Sequence, residues 1–284
     1  MRVIRSPKGL RDQVRQARCA DRSVGFIPTM GALHEGHLSL IRAARKRDDL
    51  VIVSVYVNPL QFGPKEDLGR YPGSLAQDRH MAAGAGADLL FAPSDKLMYP
   101  AAFQSRVEVL LLQQPLCGKS RPGHFSGVST VVAKLLNLVQ PDRLYLGQKD
   151  YQQALLLRRM VRDLDWPVQV CLLPTVREHD GLALSSRNAY LSAPDRQVAP
   201  ALRRGLREAA KALKEGSTAA VALRRAKRLW AAEAPQMRID YLEAVDAGDL
   251  SPVQGRTQRI LLAAAVWLGK TRLIDNIVVH RIQG

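Results

Sequence analysis

A chain of 284 residues with 46% hydrophobic and 24% charged side chains has the balance of a folded protein rather than a disordered one, and its length suits two domains. Its 42 Lys and Arg outnumber 26 Asp and Glu, a formal charge of +16 that suits a binder of polyanions or of nucleotide phosphates. The basic residues are spread along Ala- and Leu-rich helical patterns (RAARKR, LRRMVR, LRRGLR, LRRAKR), as on solvated helix faces. Aromatic residues are only 5%, and there is no RNP-type motif or zinc finger, so no nucleic-acid partner is expected.

The longest apolar run, residues 260–269 (ILLAAAVWLG), is far short of the ~20 residues that span a bilayer. The opening segment MRVIRSPKGLRDQVRQARCADR has no apolar signal-peptide region and reads as charged and amphipathic. No membrane partner is expected, and the expected location is cytoplasmic. Cys19, Cys117 and Cys171 are isolated and odd in number, against a disulfide framework or a structural zinc site. Cys171, inside VQVCLL, reads as a small buried hydrophobe.

In chain order, the predicted strand 24–28 (VGFIP) precedes a helix over 37–47. An apolar, β-branched strand follows at 50–57 (LVIVSVYV), then a helix at 74–85 and a strand at 88–92. A helix over 128–139, a strand at 143–147 (RLYLG), a helix over 150–164 and a strand at 168–173 complete the alternation. Repeated strand–helix units imply the α/β class, with a doubly wound parallel sheet whose ligands sit at the carboxyl ends of its strands. Beyond about residue 175 the texture changes to two Ala/Arg-rich helices (198–216 and 218–234) followed by strands at 237–246, 259–269 and 272–280. That pattern predicts a smaller C-terminal α+β domain with a short antiparallel sheet, dividing the chain into domains 1–175 and 176–284.

The segment PTMGALHEGHLSLI carries the strongest chemical signal. Pro28 and Gly31 punctuate a strand end, and Gly36 with His37 opens a helix, a junction that directs backbone N–H groups and a positive helix end toward one point. His34 and His37 straddle the helix start, where both can donate to phosphate oxygens and stabilise charge on a leaving pyrophosphate. HEGH lacks the spacing of a HExxH zinc site. For a bare pair of histidines, one capping the helix and one solvated would be the plainer reading.

Four further segments are weaker alone. Asn58 and Gln61 in VYVNPLQFGP supply neutral amides just past a strand, or else form an Asn-Pro turn with a solvated Gln. In RPGHFSGVSTVVAKL, Ser126, Ser129 and Thr130 are helix-capping types, with Arg121 and His124 as candidate contacts. In YLGQKDYQQ, Lys149 suits a phosphate and Asp150 a ribose hydroxyl, after the strand end at Gly147. Ser185, Ser186 and Arg187 in LALSSRN form a compact phosphate-donor set, or a flexible loop.

Taken together these blocks resemble a known family. PTMGALHEGHLSLI is similar to the HIGH-type motif of the nucleotidylyltransferase superfamily and, in its full form, to the pantothenate synthetases. YVNPLQFGPKEDLGRYP, CGKSRPGHFSGVSTVVAKLLNLVQPDRLYLGQKDYQQ and PTVREHDGLALSSRN match that family's blocks in order over nearly the whole chain. The resemblance implies a Rossmann-like first domain, a C-terminal lid and a homodimer. It also implies ATP-dependent condensation of pantoate with β-alanine through a pantoyl adenylate, with magnesium. By the same resemblance His34, His37, Lys149, Ser185, Ser186 and Arg187 would be catalytic. Pro28, Met30, Gly31, His37, Gly147, Lys149, Asp150, Val176, Leu184, Ser185, Ser186 and Arg187 would line the ATP site. Met30, Asn58, Gln61 and Gln153 would hold pantoate. GQKD stands where typical members read GEKD, so Gln148 removes one negative charge. In SLAQDRHM, Asp78 with Gln77 beside it leaves one acid as a possible outer-shell group for magnesium. The alternatives are a superfamily adenylyltransferase making a dinucleotide-type product, and a nucleic-acid-binding protein.

Overall fold

The computed structural model describes residues 1–64, 66 and 68–281. Lys65 and Asp67, within the block YVNPLQFGPKEDLGRYP, lie outside the described residues. The chain forms two compact units: residues 1–113, 121–148 and 152–174 make the first, and residues 114–120, 149–151 and 175–284 the second. The two short excursions, 114–120 and 149–151, belong to the second unit although they precede residue 175 in sequence.

The chain runs β1 (Arg2–Ile4), α1 (Pro7–Cys19), β2 (Val24–Thr29), α2 (Glu35–Arg45), β3 (Leu50–Val55), α3 (Leu75–Gly84), β4 (Leu89–Phe91), α4 (Asp95–Met98), α5 (Cys117–Ser120), α6 (His124–Val139), β5 (Arg143–Gly147), α7 (Tyr151–Asp163) and β6 (Gln169–Leu173). There follow α8 (Ala193–Val198), α9 (Ala201–Lys214), α10 (Ala219–Glu233), β7 (Arg238–Asp246), β8 (Arg259–Leu268) and β9 (Thr271–His280). The first unit holds a six-stranded sheet in the order β1-β4-β3-β2-β5-β6, every pair parallel. Its order reverses at β2, between β3 and β5, so the loops after β2 and β5 flank the crevice where such sheets take ligands.

β1 and α1 replace what the sequence shows only as a charged opening. α1 buries Leu10, Val14 and Ala17 on one face, and Ser6 caps it by accepting from the N–H of Gly9 at 3.1 Å. α6 starts at His124, four residues before the predicted 128, after Gly123 in the left-handed region. Ser126, Ser129 and Thr130 therefore lie buried inside the helix and do not cap it, and Thr130 Oγ1 instead accepts from the N–H of Val107 at 3.0 Å. Gly127 permits this placement: a Cβ there would stand 2.3 Å from the carbonyl oxygen of Leu60.

In the second unit, α9 and α10 pack on the antiparallel sheet β7-β8-β9. Trp230, 2% exposed, crosses α9 at Gly205 and donates its indole N–H to the carbonyl of Ala201 at 2.8 Å. A Cβ on residue 205 would stand 2.1 Å from the indole nitrogen, so Gly205→Ala forces the two helices apart. The expected loss is about 1–3 kcal/mol in urea unfolding; an unchanged midpoint would contradict this packing.

Candidate active site

In the first unit the candidate residues start on the loop after β2. Thr29 Oγ1 donates to the carbonyl of Ser54 at 2.7 Å and accepts from the N–H of Gly31 at 3.2 Å, tying the ends of β2 and β3 together. Gly31 (φ 87°) and Ala32 (φ 50°) are both left-handed and turn the chain sharply. Asp78, 2% exposed on α3, stabilises that turn: its carboxylate accepts from the N–H of Ala32 at 3.1 Å and of Leu33 at 2.7 Å. A Cβ on Gly31 would approach Asp78 Oδ2 to 2.8 Å, so glycine is required for this contact as well as for its φ. The carboxylate expected near magnesium thus faces inward onto backbone donors, and it does not fit as a metal group. Among the described residues no cluster of three or more His, Cys, Asp or Glu could hold a metal.

His34 is the N-cap of α2. Its Nδ1 accepts from the N–H of Gly36 at 3.1 Å, while His37 Nδ1 accepts from the N–H of His34 at 3.3 Å. The rings stand 4.1 Å apart at 35°. Since both Nδ1 atoms accept, the proton of each neutral imidazole sits on Nε2, which makes both Nε2–H groups donors. Capping therefore occupies Nδ1 of both rings and places the N–H of each on the other nitrogen. Gly36 is needed between them, because a Cβ there would meet His34 Cε1 at 2.8 Å.

The turn after β3 holds the predicted amides. Asn58 is 1% exposed. Its Nδ2 donates to Gln61 Oε1 at 3.0 Å and to the carbonyl of Gly127 at 3.1 Å. Its Oδ1 accepts from Tyr99 Oη at 2.8 Å and from the N–H of Leu60 at 3.3 Å. With four partners its amide is filled, so Asn58 orients Gln61 and has no capacity left for a substrate oxygen. Gln61 Nε2 lies 2.9 Å from Met30 Sδ, a weak acceptor, which brings two of the predicted pantoate residues together. Gln153 on α7 is partly buried, and the position of a Cβ on Gly147 is open space.

Arg121 and His124 support Gln61 from behind. His124 Nδ1–H donates to the carbonyl of Gln61 at 2.8 Å, so its Nε2 accepts from Arg121 at 3.1 Å, the opposite tautomer to His34 and His37. Arg121 also binds Glu66 through two nitrogens. Burial raises the Glu66 pKa, but the hydrogen bonds and charge of Arg121 outweigh it and hold the carboxyl below its ordinary value. Because the folded value is depressed, the tie contributes fully above the ordinary carboxylate range and is lost as pH falls through the folded value. Glu66→Gln should therefore be destabilised relative to the parent at neutral pH, and the gap in melting midpoint should close on acidification. A gap that does not change with pH would contradict the ion pair.

The second unit carries Lys149 and Asp150, in a single 3-10 turn after β5, and a hairpin. In the hairpin, Leu184 donates its N–H to the carbonyl of Val176 at 3.0 Å, Arg177 bridges Ala183, and Glu178 donates its N–H to the carbonyl of Leu182 at 2.8 Å. The hairpin delivers Ser185 as the cap of a 3-10 turn, Ser186–Tyr190, whose Arg187 N–H reaches Ser185 Oγ at 3.3 Å. Asn188 Nδ2 fixes the turn by donating to Glu178 Oε1 and to the carbonyl of Ala183, both at 3.1 Å. Arg196 holds Glu178 and Asp180 at 2.6 Å. At the hairpin base, Arg177 binds Asp275 bidentately at 2.7 and 2.9 Å. The partner of Arg177, Asp275, was not legible in the sequence, since a lone buried acid in an apolar strand has no motif.

A parallel sheet whose order reverses beside a histidine-capped helix start is a Rossmann-like arrangement. The pantoate-beta-alanine ligase family model matches residues 2–278, and the chain belongs to that family. A curated pantothenate synthetase of Moorella thermoacetica is 53% identical over 280 residues, 99% of each chain. The crystal structure of the pantothenate synthetase of Thermus thermophilus superposes with a TM-score of 0.93 at 48% identity, covering 98% of this chain and 99% of that one. The ligase of Francisella tularensis, solved with beta-gamma ATP and β-alanine, gives 0.80 at 38% identity over 98% and 97% of the two chains.

Proposed function

We propose that this chain condenses pantoate with β-alanine at the expense of ATP, through a pantoyl adenylate, releasing pyrophosphate and AMP. The observation that carries the reading is the His34–His37 pair, whose two Nε2–H donors stand at the start of α2 beside the reversal point of the sheet. The ATP and β-alanine bound to the Francisella relative support the substrate set.

In the first step a carboxylate oxygen of pantoate attacks the α-phosphorus, the bond to the bridging oxygen breaks, and pyrophosphate leaves with that electron pair. His34 and His37 donate to the triphosphate, with Lys149, Ser185, Ser186 and Arg187 neutralising the charge that develops. Gln61 and Gln153 orient pantoate without neutralising its nucleophilic carboxylate, and Asn58 acts through Gln61. Pro28, Met30, Gly31, Gly147, Asp150, Val176 and Leu184 complete the nucleotide contacts. In the second step the amine of β-alanine attacks the acyl carbon, AMP departs, and the amine proton is lost. Magnesium, which prefers phosphate oxygens and water, would travel with the triphosphate, and no step is routed through it. A cytoplasmic homodimer belongs to the same proposal.

AMP formation from ATP is the test, measured with pantoate alone, with β-alanine alone and with both. Turnover that needs both supports the ligase reading. Pyrophosphate release with a phosphorylated co-substrate and indifference to β-alanine would favour an adenylyltransferase instead.

A further inference from the structure

The second unit contains two segments assigned to ATP, separated in sequence, and a single strand holds both. Asn276 of β9, 4% exposed, donates from Nδ2 to the backbone carbonyl of Lys149 at 2.9 Å. Its neighbour Asp275, 3% exposed, takes the bidentate guanidinium of Arg177, the base of the hairpin that presents residues 185–187. Asp275 Oδ1 also accepts from the N–H of Asn276 at 2.7 Å, so the two anchors are joined to each other. Consecutive residues of a strand project to opposite sides, which lets one strand reach two segments. In register, β9, an edge strand of the sheet, places Asp275 against Ala264 and Asn276 against Ala263, midway along its pairing with β8.

We propose that Asp275 and Asn276 are positioning residues for the adenylation step, fixing the separation of Lys149 from the Ser185–Ser186–Arg187 turn. The inference rests on the proposed role of those residues toward ATP. Neither touches substrate: Asn276 acts through the main chain of Lys149, and Asp275 through Arg177. A lysine on a short 3-10 turn would otherwise swing with its backbone, and a displacement near 1 Å costs up to ~100-fold in rate.

The test is a double-mutant cycle between Asn276→Ala and Lys149→Ala, read as pantoate-dependent pyrophosphate exchange with KM values for ATP and pantoate. Asn276→Ala is expected to raise the KM for ATP or slow exchange about tenfold, with the KM for pantoate unchanged. That effect should vanish in the Lys149→Ala background, because nothing is left to position. Additive losses would overturn the positioning role while leaving Lys149 as an ATP contact. A proportional change in both KM values would overturn it too, since that is the mark of general loosening. Lys149→Ala with wild-type ATP parameters would remove the ATP reading and the inference together. Should Asn276→Ala fold poorly, Asn276→Ser, which keeps a shorter donor, is read in the same cycle, with the same outcomes deciding.

Discussion

Replacing His34 by Asn is expected to slow pantoate-dependent pyrophosphate exchange by about 10²–10³-fold while leaving thermal stability nearly unchanged. The imidazole Nδ1 accepts from the N–H of Gly36, and in the proposed mechanism Nε2–H donates to the triphosphate. Asn retains an oxygen at about the reach of Nδ1 and is among the best N-cap residues, so α2 keeps its cap. It supplies nothing at the position of Nε2. His34→Ala removes both functions and should lose a further ~1 kcal/mol of stability. The pair of variants thus separates helix capping from charge stabilisation. If His34→Asn exchanged pyrophosphate at the parent rate, the histidines would be structural caps and the proposed chemistry would lose its main support.

Asp78→Asn is expected to be damaging in both stability and rate. The carboxylate accepts from two backbone N–H groups of a doubly left-handed turn, and an amide must turn its NH₂ toward one of them. An orphaned buried donor costs about 1–3 kcal/mol, so a loss of that order is expected in unfolding, with exchange slowed about ten- to a hundredfold as His34 shifts. The magnesium dependence separates the two roles. A loop-holding carboxylate leaves the magnesium concentration at half-maximal rate unchanged when it is replaced. An outer-shell carboxylate would raise that concentration and leave stability intact, and that result would restore the expectation drawn from the sequence.

Much of the fold was legible because hydrophobic period is a strong local signal. The 50–57 run, apolar almost throughout, supplied β3 (Leu50–Val55) at the sheet centre, and the Ala/Arg helices and three late strands fell where the composition changed. The three-residue β1 is too short to show a period, and the start of α6 was misjudged because Gly127 reads as loop punctuation until its contact with Leu60 is seen. At the site, PTMGALHEGH announced an anion-binding helix start. What it could not announce was tautomer, since which ring nitrogen carries the proton depends on the backbone donors of Gly36 and His34. Asn58 was read as a substrate amide because capacity cannot be judged without partners. Tyr99 and Gly127, which fill it, lie 41 and 69 residues away.

Gly127 also bears on how this enzyme could be altered. A glycine inside a helix weakens it by roughly 1 kcal/mol relative to alanine, so replacing it looks like a routine stabilising change. Here the missing side chain is the gap through which α6 rests its backbone on the turn carrying Asn58 and Gln61. Any larger residue would push that turn and disturb the contact of Gln61 with Met30 before it was felt in the helix. A consensus-driven stabilisation of this chain would do well to leave residue 127 alone, because its softness in one element is what gives the neighbouring one its accuracy.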